Sequence, residues 1–123
     1  MKLSRFDSFC ARLPASTFVV QWGGSHVHKV GGKVFAIGHF AGEAAYVFKT
    51  TPLSFALLLD QGLASRAPYL PRGNWVRVSG GVPDAMLRDL LRQSYDLVAA
   101  RLTKATRASL GLSSSENSLP NPG

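Results

Sequence analysis

Three pairs of adjacent glycines interrupt the chain, and the segments around the second pair limit the possible folds most strongly. The segments 26–30 and 33–40 are rich in Val, Ile and Phe, and Gly31-Gly32 alone separates them. A two-residue connection can join antiparallel strands but not parallel ones, and glycines supply the positive φ angles that such a turn requires. The sequence therefore predicts an antiparallel hairpin here.

Further segments extend this hairpin into an antiparallel meander. Residues 17–22 precede it, and residues 43–50 follow it after Ala41-Gly42, which we interpret as a second two-residue turn. The segment 74–79 alternates apolar and polar residues with the period of two that is typical of a half-buried strand. The sequence thus predicts a sheet of about five antiparallel strands.

Three segments have the spacing of amphipathic helices. Apolar residues recur at intervals of three and four in the segment 4–13, which Pro14 ends. Thr51 and Pro52 predict the N-cap and the first helical position of a second helix. The longest helix begins at Pro83, and its apolar stripe is predicted to be buried: Leu87, Leu90, Leu91, Ser94, Tyr95, Val98 and Leu102.

Together these elements predict a two-layer α/β (α+β) fold with the order α-β-β-β-β-α-β-α. Because 123 residues are too few for two substantial cores, we expect a single domain over residues 1–110. The segment 65–73 holds two prolines and a glycine, so we expect an exposed loop without regular structure. Residues 111–123 have almost no apolar surface and are expected to form a disordered tail.

Basic residues outnumber acidic ones, which favours an anionic partner. The chain has 14 Lys and Arg against 7 Asp and Glu, a formal net charge of +7. Nucleic acid is the commonest such partner of a small basic domain, and the alternative is that the charge maintains solubility. No apolar run approaches the roughly 20 residues that cross a bilayer. Because no signal-peptide pattern begins the chain, we expect a cytoplasmic protein without a membrane partner.

The predicted register places basic residues on one face of the sheet. It pairs His28 with Phe35, puts Ile37 on the same aromatic face, and leaves Lys29 and Lys49 on the opposite face. If helices cover only the aromatic face, this basic stripe is solvent-exposed. A phosphate-binding surface there would include six residues: Lys29, Lys33, Lys49, Arg72, Trp75 and Arg77. The alternative is a solvated face whose lysines discourage edge aggregation.

Three histidines, His26, His28 and His39, are predicted to point to the aromatic face. Three imidazoles could hold zinc with an open fourth position. We expect no acidic residue to support them, because the register turns Glu43 to the other face, and we favour hydrogen-bonded structural histidines without a metal. Cys10 is the only cysteine and is expected to be a small buried side chain. No other catalytic constellation is recognised, so we expect neither an enzyme nor a cofactor.

Several motifs resemble those of the MmcQ/YjbR-like family. They are VGGKVFA at 30–36, Lys49 at the end of the fourth strand, APY at 67–69, NWVRV at 74–78, PD at 83–84 and SYDLV at 94–98. The resemblance implies an antiparallel sheet of about five strands with three helices, similar to the CyaY-like and secretion-chaperone-like folds. Proteins of this family are often described as DNA-binding.

We therefore expect a non-enzymatic DNA-binding protein with low sequence specificity. The alternative is a protein-interaction or chaperone-like module that uses the face or the edge of its sheet. Such a sheet accepts an extended protein partner at its edge or pairs with a second copy to form a homodimer.

Overall fold

The computed structural model describes residues 1–70 and 72–112, and their strands form one antiparallel sheet. In chain order the elements are α1 (Leu3–Ala11), β1 (Ser16–Gln21), β2 (Ser25–Val30), β3 (Lys33–Gly38), a 3-10 helix (Phe40–Gly42), β4 (Tyr46–Lys49), α2 (Pro52–Asp60), β5 (Ser65–Arg66), β6 (Trp75–Val78), α3 (Asp84–Ala100) and α4 (Lys104–Ser109). The strand order in the sheet is β1-β2-β3-β4-β6-β5. The α+β class and the antiparallel sheet are confirmed.

Two short elements add to the predicted order. The strand β5 pairs with β6, so the prediction of a loop without regular structure over 65–73 is wrong for Ser65–Arg66. The helix α4 begins after Thr103, whose hydroxyl accepts a hydrogen bond from the Thr106 N–H at 3.1 Å. The described residues therefore contain six strands and four α-helices, where about five strands and three helices are predicted.

The glycine turn between β2 and β3 forms as predicted. Gly31 and Gly32 have φ angles of +58° and +79°, which a two-residue hairpin turn requires. Gly31 also lies against the chain that follows α3, because a Cβ at this position would lie 2.7 Å from Leu102 Cδ1. A larger residue at position 31 would therefore displace Leu102 as well as strain the turn.

The second predicted turn, at Ala41-Gly42, is wrong. The 3-10 helix takes its place, and β4 begins at Tyr46, three residues later than predicted. The Ala41 N–H donates a hydrogen bond to Ser25 Oγ at 2.8 Å. Because Ser25 is fully buried at the start of β2, this bond fixes the connection to the sheet. The path of the chain between β3 and β4 is therefore determined by a tertiary hydrogen bond and not by the predicted local turn.

A β-bulge between β2 and β3 changes the predicted register. His28 pairs with Ala36 instead of Phe35, because Phe35 is the extra residue of the bulge. Phe35 and Ala36 both pack against the helices, whereas Ile37 turns to the opposite side of the sheet. The predicted face of Ile37 is therefore wrong.

The helices α1, α2 and α3 pack against one side of the sheet, which we call the helix side. The large core there joins Phe6 of α1, Leu58 of α2 and Leu91 of α3 to the strands. Every residue of the stripe predicted for the longest helix is buried, although Leu102 lies two positions beyond the end of α3. Among residues 1–70 and 72–112, no helix combines the length and the apolar character needed to span a bilayer.

The opposite side, which we call the loop side, carries a smaller core. Val27, Ile37 and Val47 pack there with Ala67, and Leu70 covers them in part. Val27 and Val47 have no exposed surface, so the prediction of a solvent-exposed stripe is wrong at the centre of this side. Lys29 and Lys49, which the sequence predicts to be exposed on this side, are half-buried. Residues 113–123 of the predicted tail lie outside the described part of the chain.

Candidate functional site

A cleft of about 410 Å³ opens at the end of the sheet where β3 begins and β4 ends. Lys49 pairs with Trp75 across β4 and β6, so the register of these strands sets both side chains side by side. Lys33 follows the glycine turn, and Arg101 caps the end of α3. The cleft is lined by Lys33, Val34, Lys49, Trp75, Val98 and Arg101.

The three cations of this cleft have no ion-pair partner among the described residues. Lys33 and Arg101 are exposed, whereas Lys49 is half-buried. Burial lowers the pKa of Lys49, and the positive charge of Arg101 lowers it further. Like charges held close together repel one another, and an anion between them removes part of that cost. The electrostatics of the cleft therefore favour an anionic ligand.

An apolar basin of about 410 Å³ lies beside the cleft on the loop side. Val34 and Trp75 line both cavities, so the basin and the cleft share a wall. Two aromatic side chains of the basin are open to solvent: Trp22 is 54% exposed and Tyr69 is 87% exposed. Exposed large apolar side chains grouped in one place are typical of a binding surface. The remaining lining residues are Ile37, Phe40, Ala41 and Leu70.

The structure brings together three of the six predicted site residues, Lys33, Lys49 and Trp75. Lys29 lies next to them, because it pairs with Val34 of the shared wall. Lys29, Lys49 and Trp75 lie on the loop side, whereas Lys33 is paired with Val30 of the helix-side core, so the four residues meet at the end of the sheet.

The other two predicted residues do not line this cleft. The Arg77 guanidinium pairs with the Glu43 carboxylate, so an acidic neighbour already compensates its charge. Arg77 also pairs with Val47 across the strands, which places it two pairs further from the cleft than Trp75. Arg72 is exposed, and the described lining of the cleft does not include it.

Three residues that line the cleft or the basin were not predicted from the sequence: Arg101, Trp22 and Tyr69. Arg101 follows the buried Val98 by three positions, and this helical spacing is a signal that could have identified it. Trp22 directly follows β1, where it resembles one more strand residue. The exposure of Tyr69 depends on the path of an irregular segment, which local sequence does not determine.

Two of the three histidines form a separate cluster on the helix side. Asp7 of α1 contacts both, with Oδ2 2.8 Å from His26 Nδ1 and Oδ1 2.8 Å from His28 Nε2. The prediction that no acidic residue supports these histidines is therefore wrong. Asp7 directly follows Phe6, which is fully buried against the sheet, so the docking of α1 brings the carboxylate to β2.

His28 is held in its neutral form. Its side chain is 1% exposed, and burial lowers its pKa despite the Asp7 carboxylate. Its Nδ1 has no hydrogen-bond partner among the described residues, so a proton there would be a buried donor without an acceptor. We infer that Nε2 carries the proton and donates it to Asp7.

His39 lies apart from the other two histidines. Its ring centroid is 6.1 Å from that of Tyr46, and it precedes the 3-10 helix. Within the described ranges, no group of three or more His, Cys, Asp or Glu side chains is arranged to bind a metal ion. His26 and His28 are hydrogen-bonded to Asp7, as the sequence favours.

Comparison with known proteins identifies the family of this chain. A family model described as YjbR matches residues 11–97, which is more than half of the sequence. The match includes Lys33, Lys49 and Trp75 of the cleft, whereas Asp7 and Arg101 lie outside it. No curated protein matches the chain. The family match confirms the resemblance of the motifs, and the chain belongs to the YjbR family.

Proposed function

We propose that this protein binds nucleic acid with low sequence specificity, and without catalysing a reaction, through the cleft and the basin of the loop side. The observation that carries the proposal is the convergence of Lys33, Lys49 and Arg101 beside Trp75. Lysine and arginine side chains bind phosphate by releasing counterions, and such contacts do not distinguish one base from another. Affinity at this site therefore depends on salt rather than on base sequence.

The aromatic side chains favour a single strand over a duplex. A base that stacks on an aromatic ring contributes about 1–3 kcal/mol, but bases inside a duplex are already stacked on one another. Trp22 and Tyr69 present exposed rings next to the cleft. A single strand can place its phosphates at the cations and its bases at these rings.

The titratable groups of the helix side, Asp7, His28 and Cys10, have no catalytic role in this function. Both carboxylate oxygens of Asp7 are occupied by histidine nitrogens, and His28 is buried. Burial raises the pKa of the Cys10 thiol well above its usual range, so the thiolate required of a nucleophile does not form near neutral pH. These groups are better suited to fastening α1 to the sheet.

A second candidate function, protein interaction, is favoured by the edge strand β1. Phe18 and Val20 of this strand are 50% and 52% exposed. The free edge of a strand can pair with an extended segment of another chain. Since β1 and the cleft are different surfaces, one molecule can have both functions.

Tryptophan fluorescence tests the proposed nucleic-acid site directly. The chain has two tryptophans, Trp22 and Trp75, and both line the basin. We expect an oligothymidylate of about 16 nucleotides, which is the upper end of known site sizes, to quench this fluorescence in a saturable manner. A duplex of the same length should bind more weakly. Absence of both quenching and a gel shift at low salt would contradict the proposal.

A matched pair of variants locates the stacking surface. Tyr69→Ser removes an exposed ring from the basin, and the loss of one stacked base should weaken single-strand binding about 5- to 150-fold. Met86→Ser is the control, because Met86 is an exposed apolar residue of α3, away from the basin. Equal effects of the two substitutions would count against stacking in the basin.

A further inference from the structure

The first strand of the sheet presents a group of apolar side chains to solvent. Eight large hydrophobic residues are exposed in the described part of the chain, and four of them lie within residues 18–22. Phe18, Val19 and Val20 belong to β1, and Trp22 directly follows it. Within the described sheet, β1 pairs with β2 alone, so its second edge carries backbone N–H and C=O groups that face away from the sheet.

This edge lacks the usual protection against pairing. Proteins commonly protect an edge strand with lysine, proline or very short length. The opposite edge, β5, has two residues and includes Arg66. By contrast, β1 has six residues, Ser-Thr-Phe-Val-Val-Gln, and none of them is charged, although the whole chain carries a net charge of +7.

We propose that β1 pairs antiparallel with β1 of a second copy of this chain, around a two-fold axis through Val19. In this register Val19 lies opposite Val19 of the other copy, and Phe18 lies opposite Val20. Thr17 then lies opposite Gln21, so each polar residue also meets a polar one. The strand is therefore complementary to itself.

The absence of charged residues in β1 permits a second copy as the occupant. Two molecules that each carry a net charge of +7 repel one another, and this repulsion is smallest where they meet through uncharged surface. β1 provides an uncharged surface whose backbone groups are also available for pairing. Aromatic and β-branched side chains directly opposite each other stabilise antiparallel pairs, as Phe18 and Val20 would here.

The symmetry has a structural consequence. A two-fold axis that continues a sheet through antiparallel edge strands runs perpendicular to the sheet, so both helix layers lie on the same side. Both apolar basins then lie together on the other side. If the proposed nucleic-acid binding also holds, one dimer presents two binding sites to the same strand, which increases the affinity for long strands. The pairing of β1 itself does not depend on nucleic-acid binding.

The oligomeric state of the protein without nucleic acid tests this proposal. We expect light scattering after gel filtration to give twice the mass of one chain at high concentration and a lower mass on dilution. Val19→Lys places two like charges across the axis and should yield a folded monomer. Leu57→Lys is the control on α2, because Leu57 is 47% exposed and should tolerate lysine without loss of the dimer. A wild-type monomer at all concentrations, or a dimer that Leu57→Lys alone disrupts, would overturn the proposal.

Disulfide cross-linking tests the register without relying on a disruptive variant. Cα atoms of directly opposed antiparallel residues lie about 4.5–5.5 Å apart, within the range of disulfides. Val19→Cys should therefore form a covalent dimer on mild oxidation. Thr17→Cys should not, because its opposite residue is Gln21 of the other copy. Cys10 is fully buried and should not interfere. Equal cross-linking of both variants, or of neither, would contradict the proposed pairing.

Discussion

The Asp7 carboxylate accepts a hydrogen bond from the buried His28 imidazole, with 2.8 Å between Oδ1 and Nε2. This contact joins α1 to β2 across the helix side, and the second carboxylate oxygen extends it to His26. A single acidic residue thus fastens the first helix to two positions of the sheet.

Removal of Asp7 should destabilise the fold. In Asp7→Ala the buried Nε2–H of His28 loses its acceptor, and an unsatisfied buried donor costs about 1–3 kcal/mol. Urea denaturation should show this loss in the free energy of unfolding. Asp60→Ala is a suitable control, because Asp60 is exposed at the end of α2 and its replacement should change stability by less than about 0.5 kcal/mol. Similar values for both variants would show that the Asp7 contact is dispensable.

The protein should become less stable as the pH falls below about 6.5, the ordinary pKa of histidine. Burial lowers the pKa of His28 in the folded protein, so the unfolded chain takes up a proton first. The contribution of His28 is therefore complete above pH 6.5 and decreases as the pH falls towards the folded-state pKa. The loss is at most about 1.4 kcal/mol per pH unit.

A variant isolates the part of this pH dependence that belongs to His28. His28→Phe removes the titrating group and should make the unfolding free energy less dependent on pH between about 7.5 and 5.5. His39→Gln should retain the wild-type dependence, because His39 lies outside the Asp7 cluster. If His28→Phe loses stability on acidification as steeply as the wild type, His28 is not the group responsible.

The long helix should be sensitive to the loss of core volume. Leu91 has no exposed surface, and Leu91→Ala should cost about 2–5 kcal/mol of unfolding free energy. Leu53→Ala is the matched control, because Leu53 is 70% exposed on α2. A thermal melt that shows no difference between the two variants would contradict the assigned buried face of α3.

Purified protein should contain no stoichiometric zinc. The two histidines that lie closest together already hydrogen-bond to one carboxylate, and His39 lies outside this cluster. Elemental analysis after purification without chelators provides the measurement. About one zinc per chain that disappears in His26→Gln would contradict both this prediction and the absence of a catalytic role.

The parts of the fold that depend on local patterns could be predicted from the sequence. The apolar spacing of α3 correctly identified its buried residues, and Thr51 is an N-cap whose hydroxyl accepts from the Ser54 N–H at 3.1 Å. The bulge at Phe35 could not be predicted, because either register leaves apolar residues on both faces of these strands. The Ser25 bond to Ala41 joins residues 16 positions apart and has no local sequence signal.

Only those residues of the candidate site that strand register positions could be brought together from the sequence. Lys49 and Trp75 are paired across adjacent strands, and Lys33 follows a glycine turn of correctly predicted length. Arg101 approaches them from a helix, and Asp7 reaches the histidines from another, so both depend on how helices dock on the sheet. Such docking is determined by the packing of the whole core rather than by spacing along the chain.

The binding surface is best tested by comparing two double variants that lose the same charge. Lys33→Gln with Lys49→Gln removes two cations from the cleft, whereas Arg5→Gln with Arg12→Gln removes two exposed cations at α1, on the helix side. Each lost phosphate contact should lower the slope of log affinity against log salt by about 0.7 for single-stranded DNA. Circular dichroism should first show that both variants are folded.

The affinity of the wild-type protein and of both variants for single-stranded DNA, measured over a salt series, then tests whether the cleft binds nucleic acid. We expect the cleft variant to bind more weakly and to show a slope smaller by about 1.4, because two contacts are lost. The α1 variant should retain nearly the affinity and slope of the wild-type protein. An unchanged affinity and slope for the cleft variant, or an equal loss in the α1 variant, would contradict nucleic-acid binding at the cleft.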